Sequence, residues 1–435
     1  MKRLLLTISV MCLASCGALD DDAPPLQGER ISVLELQKSL QPDSNLDSAA
    51  PITIPNTWHN EFWPQAGGYP NHSMQHLAFN DGEYAQAWRA DIGQGSTDEL
   101  PLVASPVVVD QRIFTLDTDS NLAAFNTQTG KQLWRVNIRD EKEDDPVIGG
   151  GMAFSNAVLY VTNGYDELLA IDPVSGEILW RKDLPAPSRA APTIIDDRLY
   201  LVTLDSRVMA LNPSDGALLW EYVGIGETAG LVGAASPAAN FDIVVPVFSS
   251  GEVTALRVEN GSAAWSDNLS NVRVGGGLSS LSDIKAMPVI DKGMVIAISF
   301  SGRIVAIDER TGQRIWQREF GGSQTPWVAG DFVYVLSSDN ELVALNRETG
   351  SIRWVTPLGK FVDEDRDEKL HWNGPVLAGG RLFLASSNGR ILEVAPESGD
   401  KLAENRLGKS FALAPVVADK TLYLLAEDGT LLAFR

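Results

Sequence analysis

The chain contains a segment, Leu122-Ala-Ala-Phe-Asn126-Thr-Gln-Thr-Gly130-Lys-Gln-Leu-Trp134, whose pattern is typical of a β-hairpin. An Asn side chain can bond the backbone two residues further on, and Gly130 can adopt the positive φ that a short hairpin loop requires. The same pattern returns as Ile304-Val-Ala-Ile-Asp308-Glu-Arg-Thr-Gly312-Gln-Arg-Ile-Trp316. A hairpin that recurs with its tryptophan in the same place predicts a repeat protein.

The tryptophan of this hairpin marks seven positions along the chain, 38–51 residues apart. They are Trp88, Trp134, Trp180, Trp220, Trp265, Trp316 and Trp354. From Trp134 onward, each tryptophan follows a small residue, Ala, by ten residues, and that Ala follows a proline or Met152 by 18 residues. The seventh repeat departs from this pattern, with Glu393 in place of Ala and Ala403 in place of Trp. Repeats of about 40–50 residues suit four-stranded propeller blades or pairs of helices.

Short segments such as Arg198-Leu-Tyr-Leu-Val-Thr favour strands over helices, because they are β-branched or aromatic and are bounded by Asp, Asn or Gly. No long window has a clean helical period, so a helical solenoid is the weaker alternative. The eighth repeat ends at Ala433, near the end of the sequence, and Trp88 supplies its missing tryptophan. We therefore predict an all-β fold, an eight-bladed β-propeller of four-stranded antiparallel blades. Residues 85–91 would pair with residues 431–435 and close the ring, and each tryptophan would dock into the next blade.

The first residues are typical of an exported lipoprotein. Lys2-Arg3 precedes an apolar run, and Leu13-Ala-Ser-Cys16 resembles the bacterial lipobox, in which the cysteine is lipidated after cleavage. We expect a signal peptide at 1–15, a palmitate-bearing lipid anchor on Cys16, a flexible tether at 16–57 and the propeller at 58–435, with a capping segment at 58–83. Gly17 after the cysteine implies the outer membrane. The other cysteine, Cys12, lies within the signal peptide, so no disulfide is expected.

Several classes of function are disfavoured by composition. The formal net charge is −22 and no basic stripe is present, which disfavours nucleic-acid binding. None of the four histidines is placed with a cysteine at metal-ligand spacing. The acidic run at 363–368 lacks the ligand spacing of a calcium loop, and Gly408-Lys-Ser410 lacks the first glycine of a phosphate loop. No catalytic, cofactor-binding or metal-binding residue is therefore predicted.

Only one part of the repeat varies strongly in length, the connection from the tryptophan strand to the next proline. The short connections span 10–12 residues, whereas those after Trp220, Trp265 and Trp354 span 17, 23 and 21. Equivalent connections emerge on the same face of a ring of blades, and loops on a rigid scaffold often carry function. The extended loops are residues 223–235, 266–287 and 356–374, and we predict that this face carries the functional surface.

The hairpin motif resembles the tryptophan-docking repeat of quinoprotein dehydrogenases. That resemblance implies an alternative function, a periplasmic dehydrogenase that uses pyrroloquinoline quinone (PQQ) and calcium in the central channel. Many such enzymes carry adjacent cysteines beside the quinone, and the mature chain expected here has only Cys16. A sensor or polysaccharide-associated propeller is a third possibility.

The combination of lipobox, tether and eight tryptophan-docked blades resembles the BamB family of the β-barrel assembly machinery, and the resemblance covers residues 77–435. The resemblance implies a non-catalytic lipoprotein scaffold without a cofactor, anchored on the periplasmic face of the outer membrane. It also implies that two long loops of one face bind the periplasmic POTRA domains of BamA. The expected partners are thus BamA, its assembly complex and the outer membrane.

Two loop motifs carry the family's contact residues. Ala229-Gly-Leu231-Val232-Gly233 matches the family pattern Leu-x-Leu-Arg-Gly at Leu231 and the glycine, with Val232 in place of Arg. Leu281-Ser-Asp283-Ile-Lys285 matches Leu-Ser-Asp-x-Asp at Asp283, with Lys285 in place of the second Asp. The resemblance implies that Leu231 is an apolar anchor and Asp283 a polar contact, with Ala229, Val232 and Lys285 beside them.

Overall fold

Strands account for all the regular secondary structure that the described residues form, and these residues include no helix long and apolar enough to cross a membrane. The computed structural model describes residues 40–44, 51–139, 145–225, 235–270, 284–300, 302–363 and 368–435. Eight four-stranded antiparallel sheets are formed, and each corresponds to one repeat of the sequence. The predicted all-β fold with eight four-stranded blades is confirmed.

The strands follow the chain in blade order, except that the first strand belongs to the last blade. The strands from β1 to blade 4 are β1 (Gln86–Asp91); β2 (Val107–Val109), β3 (Arg112–Leu116), β4 (Asn121–Asn126) and β5 (Gln132–Asn137) in blade 1; β6 (Met152–Ser155), β7 (Val158–Thr162), β8 (Glu167–Ile171) and β9 (Ile178–Asp183) in blade 2; β10 (Thr193–Ile195), β11 (Arg198–Val202), β12 (Arg207–Leu211) and β13 (Leu218–Val223) in blade 3; and β14 (Ala238–Ala239), β15 (Ile243–Val245), β16 (Glu252–Arg257) and β17 (Ala263–Asn268) in blade 4. The remaining strands are β18 (Val289–Asp291), β19 (Met294–Ser299), β20 (Arg303–Asp308) and β21 (Arg314–Arg318) in blade 5; β22 (Trp327–Ala329), β23 (Phe332–Leu336), β24 (Glu341–Asn346) and β25 (Ile352–Pro357) in blade 6; β26 (Trp372–Ala378), β27 (Arg381–Ser386), β28 (Arg390–Val394) and β29 (Lys401–Arg406) in blade 7; and β30 (Val416–Ala418), β31 (Thr421–Leu425) and β32 (Thr430–Phe434), which complete blade 8 with β1.

The first strand of each blade lies at the centre of the ring. Strand β2 contacts β6, β6 contacts β10, and further contacts join β10 with β14, β14 with β18, β22 with β26, and β26 with β30. These strands are almost wholly buried, whereas the tryptophan strands, such as β5, expose alternate residues at the outside. Closure is confirmed by the pairing of β1 with β32, which sets Trp88 opposite Ala433 and Asp91 opposite Thr430.

Each of the seven repeat tryptophans lies against the hairpin glycine of the following blade. The pairs are Trp88 with Gly130, Trp134 with Gly176, Trp180 with Gly216, Trp220 with Gly261, Trp265 with Gly312, Trp316 with Gly350, and Trp354 with Gly399. A methyl group on any of these glycines would lie 2.4–3.2 Å from the tryptophan. Six of the indole N–H groups also donate to a backbone carbonyl of the next hairpin, at 2.7–3.1 Å. The hairpin glycine therefore accommodates a neighbouring ring as well as a positive φ.

The junction of blades 7 and 8 is built differently, because the third and fourth strands of blade 8 are β32 and β1, which are not joined by a hairpin on which a tryptophan could dock. Ala403 stands at the tryptophan position, opposite Glu393. The buried Glu393 carboxylate accepts hydrogen bonds from the Tyr84 hydroxyl and the Arg381 guanidinium, both at 2.7 Å. The ring of Tyr84 packs against Phe79, Phe383 and Phe434. Burial, followed by the hydrogen bond to Glu393, raises the pKa of Tyr84 above its usual value. Tyr84 thus fills the junction that elsewhere receives a tryptophan.

Residues 60–77 run along the first strands of the blades and form hydrogen bonds with every blade. Their hydrogen bonds, 2.6–3.1 Å long, join Asn60 to Val417, Trp63 to Val108, Pro64 to Phe154, Gln65 to Ile194, Pro70 to Ala239, Asn71 to Ile290, Gln75 to Gly330, and Leu77 to Leu377. Within the same segment, His72 is buried and its Nδ1 lies 2.7 Å from the Pro288 carbonyl oxygen. Burial lowers the pKa of His72 to about 4.

The described part of the segment predicted as a tether also contacts the blades. The Asp43 N–H donates to the Ile352 carbonyl at 2.9 Å, and the Asp43 carboxylate accepts from Arg318 at 2.6 Å. Further along, Ile52 is buried in the core, and the Pro55 carbonyl bonds the ring of His76 at 2.7 Å. Asp43, Ile52 and Pro55 are therefore held against the rest of the chain by these contacts.

Candidate partner-binding surface on the loop face

The three long connections begin on the same face of the ring, because connections alternate between the two ends of an antiparallel blade. We name the side of the connections to the next blade the loop face, and the opposite side the hairpin face. Turns between second and third strands share the loop face and bond the connections. Gly224 donates to Ser206 at 2.9 Å, Leu269 to Gly251 at 2.8 Å, and Leu358 to Asn340 at 3.0 Å. Residues 60–77 lie at the hairpin face.

Most of the predicted contact residues lie outside the described residues. These are Ala229, Leu231, Val232 and Asp283, together with the predicted lipidation site Cys16. Lys285 is described and is exposed, next to Ile284, which is buried in the core between blades 4 and 5. The loop face thus carries Lys285 at the end of the second long loop, and the roots of both predicted contact loops are in place.

Three exposed apolar side chains surround the root of the first long loop. Val223 ends β13 and is 57% exposed, and Ile225 beyond it is 61% exposed. Leu204, 45% exposed, lies in the turn that bonds Gly224 through Ser206. We name Leu204, Val223 and Ile225 the blade 3 patch. Exposed apolar side chains at the root of a long loop are candidates for an interaction site.

Neither Leu204 nor Ile225 was predicted from the sequence as a contact residue. Ile225 falls in the predicted loop 223–235, but nothing in the sequence separates it from apolar residues that pack inside the ring. Leu204 lies in the turn between the second and third strands of blade 3. The length of this turn matches that of the equivalent turns in the other blades. One sequence signal could have identified this region: the outermost strand of the blade ends in apolar residues and leads directly into a long loop.

A buried carboxylate lies beneath the blade 3 patch and links the roots of the two predicted contact loops. Glu252 accepts a hydrogen bond from the Ile225 N–H at 3.3 Å, on the first loop. It also accepts from the Ser266 hydroxyl at 3.3 Å, on the strand that leads into the second loop, and from Thr254 at 2.8 Å. The Tyr222 hydroxyl lies 3.4 Å away, and burial together with the Glu252 charge raises the Tyr222 pKa.

A cleft of about 470 Å³ opens on the loop face over blades 5 to 8. Its lining includes the buried apolar residues Leu336, Leu370, Trp372 and Phe411 and the exposed basic residues Lys285, Lys360 and Lys369. The third long connection forms one wall, where Leu370 donates to the Lys360 carbonyl at 3.0 Å. Asp339 and Glu427 also line the cleft, and Asp339 pairs with Lys360 at 3.3 Å, so the cleft has an apolar floor and a rim of mixed charge.

Within the described ranges, no three His, Cys, Asp or Glu side chains are grouped so that they could hold a metal ion. The loop face also carries exposed apolar side chains, a buried carboxylate and a cleft with a rim of mixed charge. Groups of these kinds, held by rigid blades, suit contacts with another macromolecule.

Comparison with known proteins gives a consistent family assignment. The family model for the outer membrane protein assembly factor BamB matches residues 75–148, 118–356 and 362–435. The outer membrane protein assembly factor BamB of Yersinia pestis is 26% identical over 357 residues, which are 80% of this chain and 88% of that protein. Most of residues 60–77, which bond all the blades, precede the matched region.

Solved structures share the fold. The crystal structure of BamB from Moraxella catarrhalis matches with a TM-score of 0.69 at 20% identity, covering 81% of this chain and all of that chain. Quinohemoprotein alcohol dehydrogenase from Comamonas testosteroni matches with a TM-score of 0.66 at 13% identity, over 87% of this chain and 81% of that chain. At such identities the likeness concerns the fold alone. Because the family model covers most of the propeller, this chain belongs to the BamB family of outer membrane protein assembly factors, with PQQ-like repeats.

Proposed function

We propose that this protein is a non-catalytic scaffold for the assembly of outer-membrane β-barrels. A lipid on Cys16 would anchor it to the periplasmic face of the outer membrane, and the loop face would bind POTRA domains of BamA. Family membership supports the assembly role, since the relatives are outer membrane protein assembly factors. The observation that carries the binding site is the blade 3 patch, which exposes apolar side chains beside the loop that the sequence had singled out.

In this proposal the two contact loops have different roles in binding. Leu231 adds an apolar anchor to the blade 3 patch, and desolvation of such anchors supplies most of the affinity of an interface. Asp283 and Lys285 make polar contacts that fix the orientation of the partner, with Ala229 and Val232 beside them. The blades change little on binding, because the loops project from a closed ring.

The patch is tested by the double variant Val223→Asp with Ile225→Asp, titrated against the purified POTRA domains of the cognate BamA by calorimetry. We expect at least tenfold weaker binding, because two charges would have to be desolvated in an apolar contact. The matched control is Leu218→Asp with Leu219→Asp, since both residues lie on the same strand, at its hairpin end, and are each 47% exposed.

The control variant should bind within twofold of the wild-type protein, and both variants should keep the wild-type melting temperature. Equal binding by the patch variant and the control would contradict the assignment of the patch. Leu231→Glu combined with Asp283→Ala tests the predicted loop residues, and co-purification with BamA should be lost without a change in melting temperature. Retained co-purification would remove these two residues from the site.

A further inference from the structure

Glu252 occupies the same position in blade 4 as Glu167 in blade 2, because each opens the third strand three residues before the repeat alanine. In blade 2, Arg181 on the adjacent strand neutralises Glu167, with the guanidinium 2.7 Å from the carboxylate. The residue equivalent to Arg181 in blade 4 is Ser266. The same place in the fold therefore holds an ion pair in one blade and a carboxylate beside a short hydroxyl in the other.

The donors to Glu252 among the described residues are all neutral. They are the hydroxyls of Tyr222, Thr254 and Ser266 and the backbone N–H of Ile225. Glu252 is only 6% exposed, and burial of a carboxylate without a cation is unfavourable. Blades 3, 5 and 7 carry an arginine at the position of Glu252, as in the pair of Arg207 with Glu221, whereas blade 6 carries another buried carboxylate, Glu341. Glu252 is thus a buried charge whose ion-pair partner is missing from the described part of the chain.

Blade 4 has the short side chain of Ser266 where blade 2 has Arg181. Ser266 is exposed, whereas Glu252 is 6% exposed, close to the 5% of Glu167. Glu252 lies between the roots of the two contact loops, since Ile225 belongs to one and Ser266 leads into the other. A basic side chain from outside would therefore have to approach the carboxylate past Ser266, at the position that Arg181 occupies in blade 2.

We propose that Glu252 receives an arginine or lysine side chain of the bound partner, and so selects a partner segment with a basic residue flanked by apolar ones. This inference rests on the proposed function and adds the chemistry that the POTRA surface must present. The net charge of −22 on this chain favours a basic partner segment. A guanidinium suits the site well, because it can bond a carboxylate and neighbouring hydroxyl oxygens together.

The test is Ser266→Arg, which supplies the missing cation from within the chain as in blade 2. We expect a higher melting temperature and at least tenfold weaker binding to the purified POTRA domains, because the carboxylate is already neutralised. Ser266→Thr is the control, since it keeps the hydroxyl and adds no cation, and it should bind within twofold of the wild-type protein. Glu252→Gln should weaken binding to a similar extent, and adding Ser266→Arg to it should cause no further loss.

Unchanged binding of the Ser266→Arg variant would overturn the inference. It would also be overturned if Arg273, which lies outside the described residues, proved to be the occupant. In that case Arg273→Ala would lower the melting temperature in the wild-type protein but not in the Glu252→Gln variant. If the wild-type protein does not bind POTRA domains, the proposed function fails. If Val223→Asp with Ile225→Asp abolishes binding while Ser266→Arg does not, only the role of Glu252 fails.

Discussion

Replacing Gly350 by Ala is expected to destabilise the propeller by about 3 kcal/mol, for two separable reasons. The residue has a φ of +68°, and an L side chain in this region costs roughly 1–2 kcal/mol. In addition, the new methyl group would lie 2.6 Å from Cδ2 of Trp316. Because that ring is held by a hydrogen bond of 2.7 Å to Arg347, relieving the clash costs roughly a further 1–3 kcal/mol.

Gly408 provides the matched control, because its φ is +63° and an added methyl group would meet nothing within 4 Å. Gly408→Ala should therefore show only the backbone cost, roughly 1–2 kcal/mol. Unfolding in urea, followed by tryptophan fluorescence and circular dichroism, gives the free energy of unfolding of each variant. The difference between the two variants measures the contact with the ring.

A double-mutant cycle then separates the clash from the backbone cost. In a Trp316→Ala background the ring is absent, so Gly350→Ala should cost no more than Gly408→Ala. If Gly350→Ala and Gly408→Ala destabilise the otherwise wild-type protein equally, the reasoning is refuted. The glycine would then serve only the hairpin turn and not the docking of the neighbouring blade.

Two further predictions concern the junction of the ring and the buried histidine. Tyr84→Phe should lower the free energy of unfolding by about 1.5–3 kcal/mol, because the buried Glu393 carboxylate loses a hydrogen bond; an unchanged urea midpoint would argue against this role. The pKa of His72 falls from 6.5 in the unfolded chain to about 4 in the folded protein, so the unfolded chain binds the proton first as the pH is lowered. The free energy of unfolding should therefore drop by about 3 kcal/mol as the pH falls between these two values. His72→Gln should remove this part of the loss in urea unfolding at each pH, whereas the exposed His371→Gln should retain it.

The architecture could be predicted from the sequence because the repeat is regular. Trp134 and its equivalents recur at a fixed distance from a small residue, and the position of Trp88 ahead of the first full repeat indicated closure. Fixed spacing reflects strands of fixed length, which each blade must share in order to pack on the next. The pairing of Trp88 with Ala433 follows from the same rule.

The exceptions in the seventh repeat could not be interpreted without the fold. Glu393 and Ala403 look like a degenerate repeat, but they serve a junction whose neighbouring hairpin is replaced by the chain ends. The partner of Glu393 is Tyr84, which is separated from it by 309 residues and carries no periodic signal. The path of residues 60–77 could not be predicted for the same reason. The hydrogen bonds of this segment are made to successive blades around the ring, and no periodic pattern in the segment's own sequence indicates them.

The candidate surface was predicted in part. Loop length located the loop face, because only the connections on that side vary. The patch residues Leu204 and Ile225 depend on exposure, which spacing does not encode. Glu252 is recognised only by comparison with Glu167, once the strands are aligned and the missing arginine becomes visible.

The hydrogen bonds from residues 60–77 to all eight blades have a consequence for how the molecule assembles and comes apart. Arrays of repeats that touch only their neighbours can fray one unit at a time. In this protein one segment, residues 60–77, is hydrogen-bonded to every blade. Detachment of one blade therefore weakens the contacts of this segment with all the others. This segment precedes the blades in the chain, yet its hydrogen bond to Val417 requires the strands of blade 8. The ring is therefore completed only after blade 8 has been synthesised.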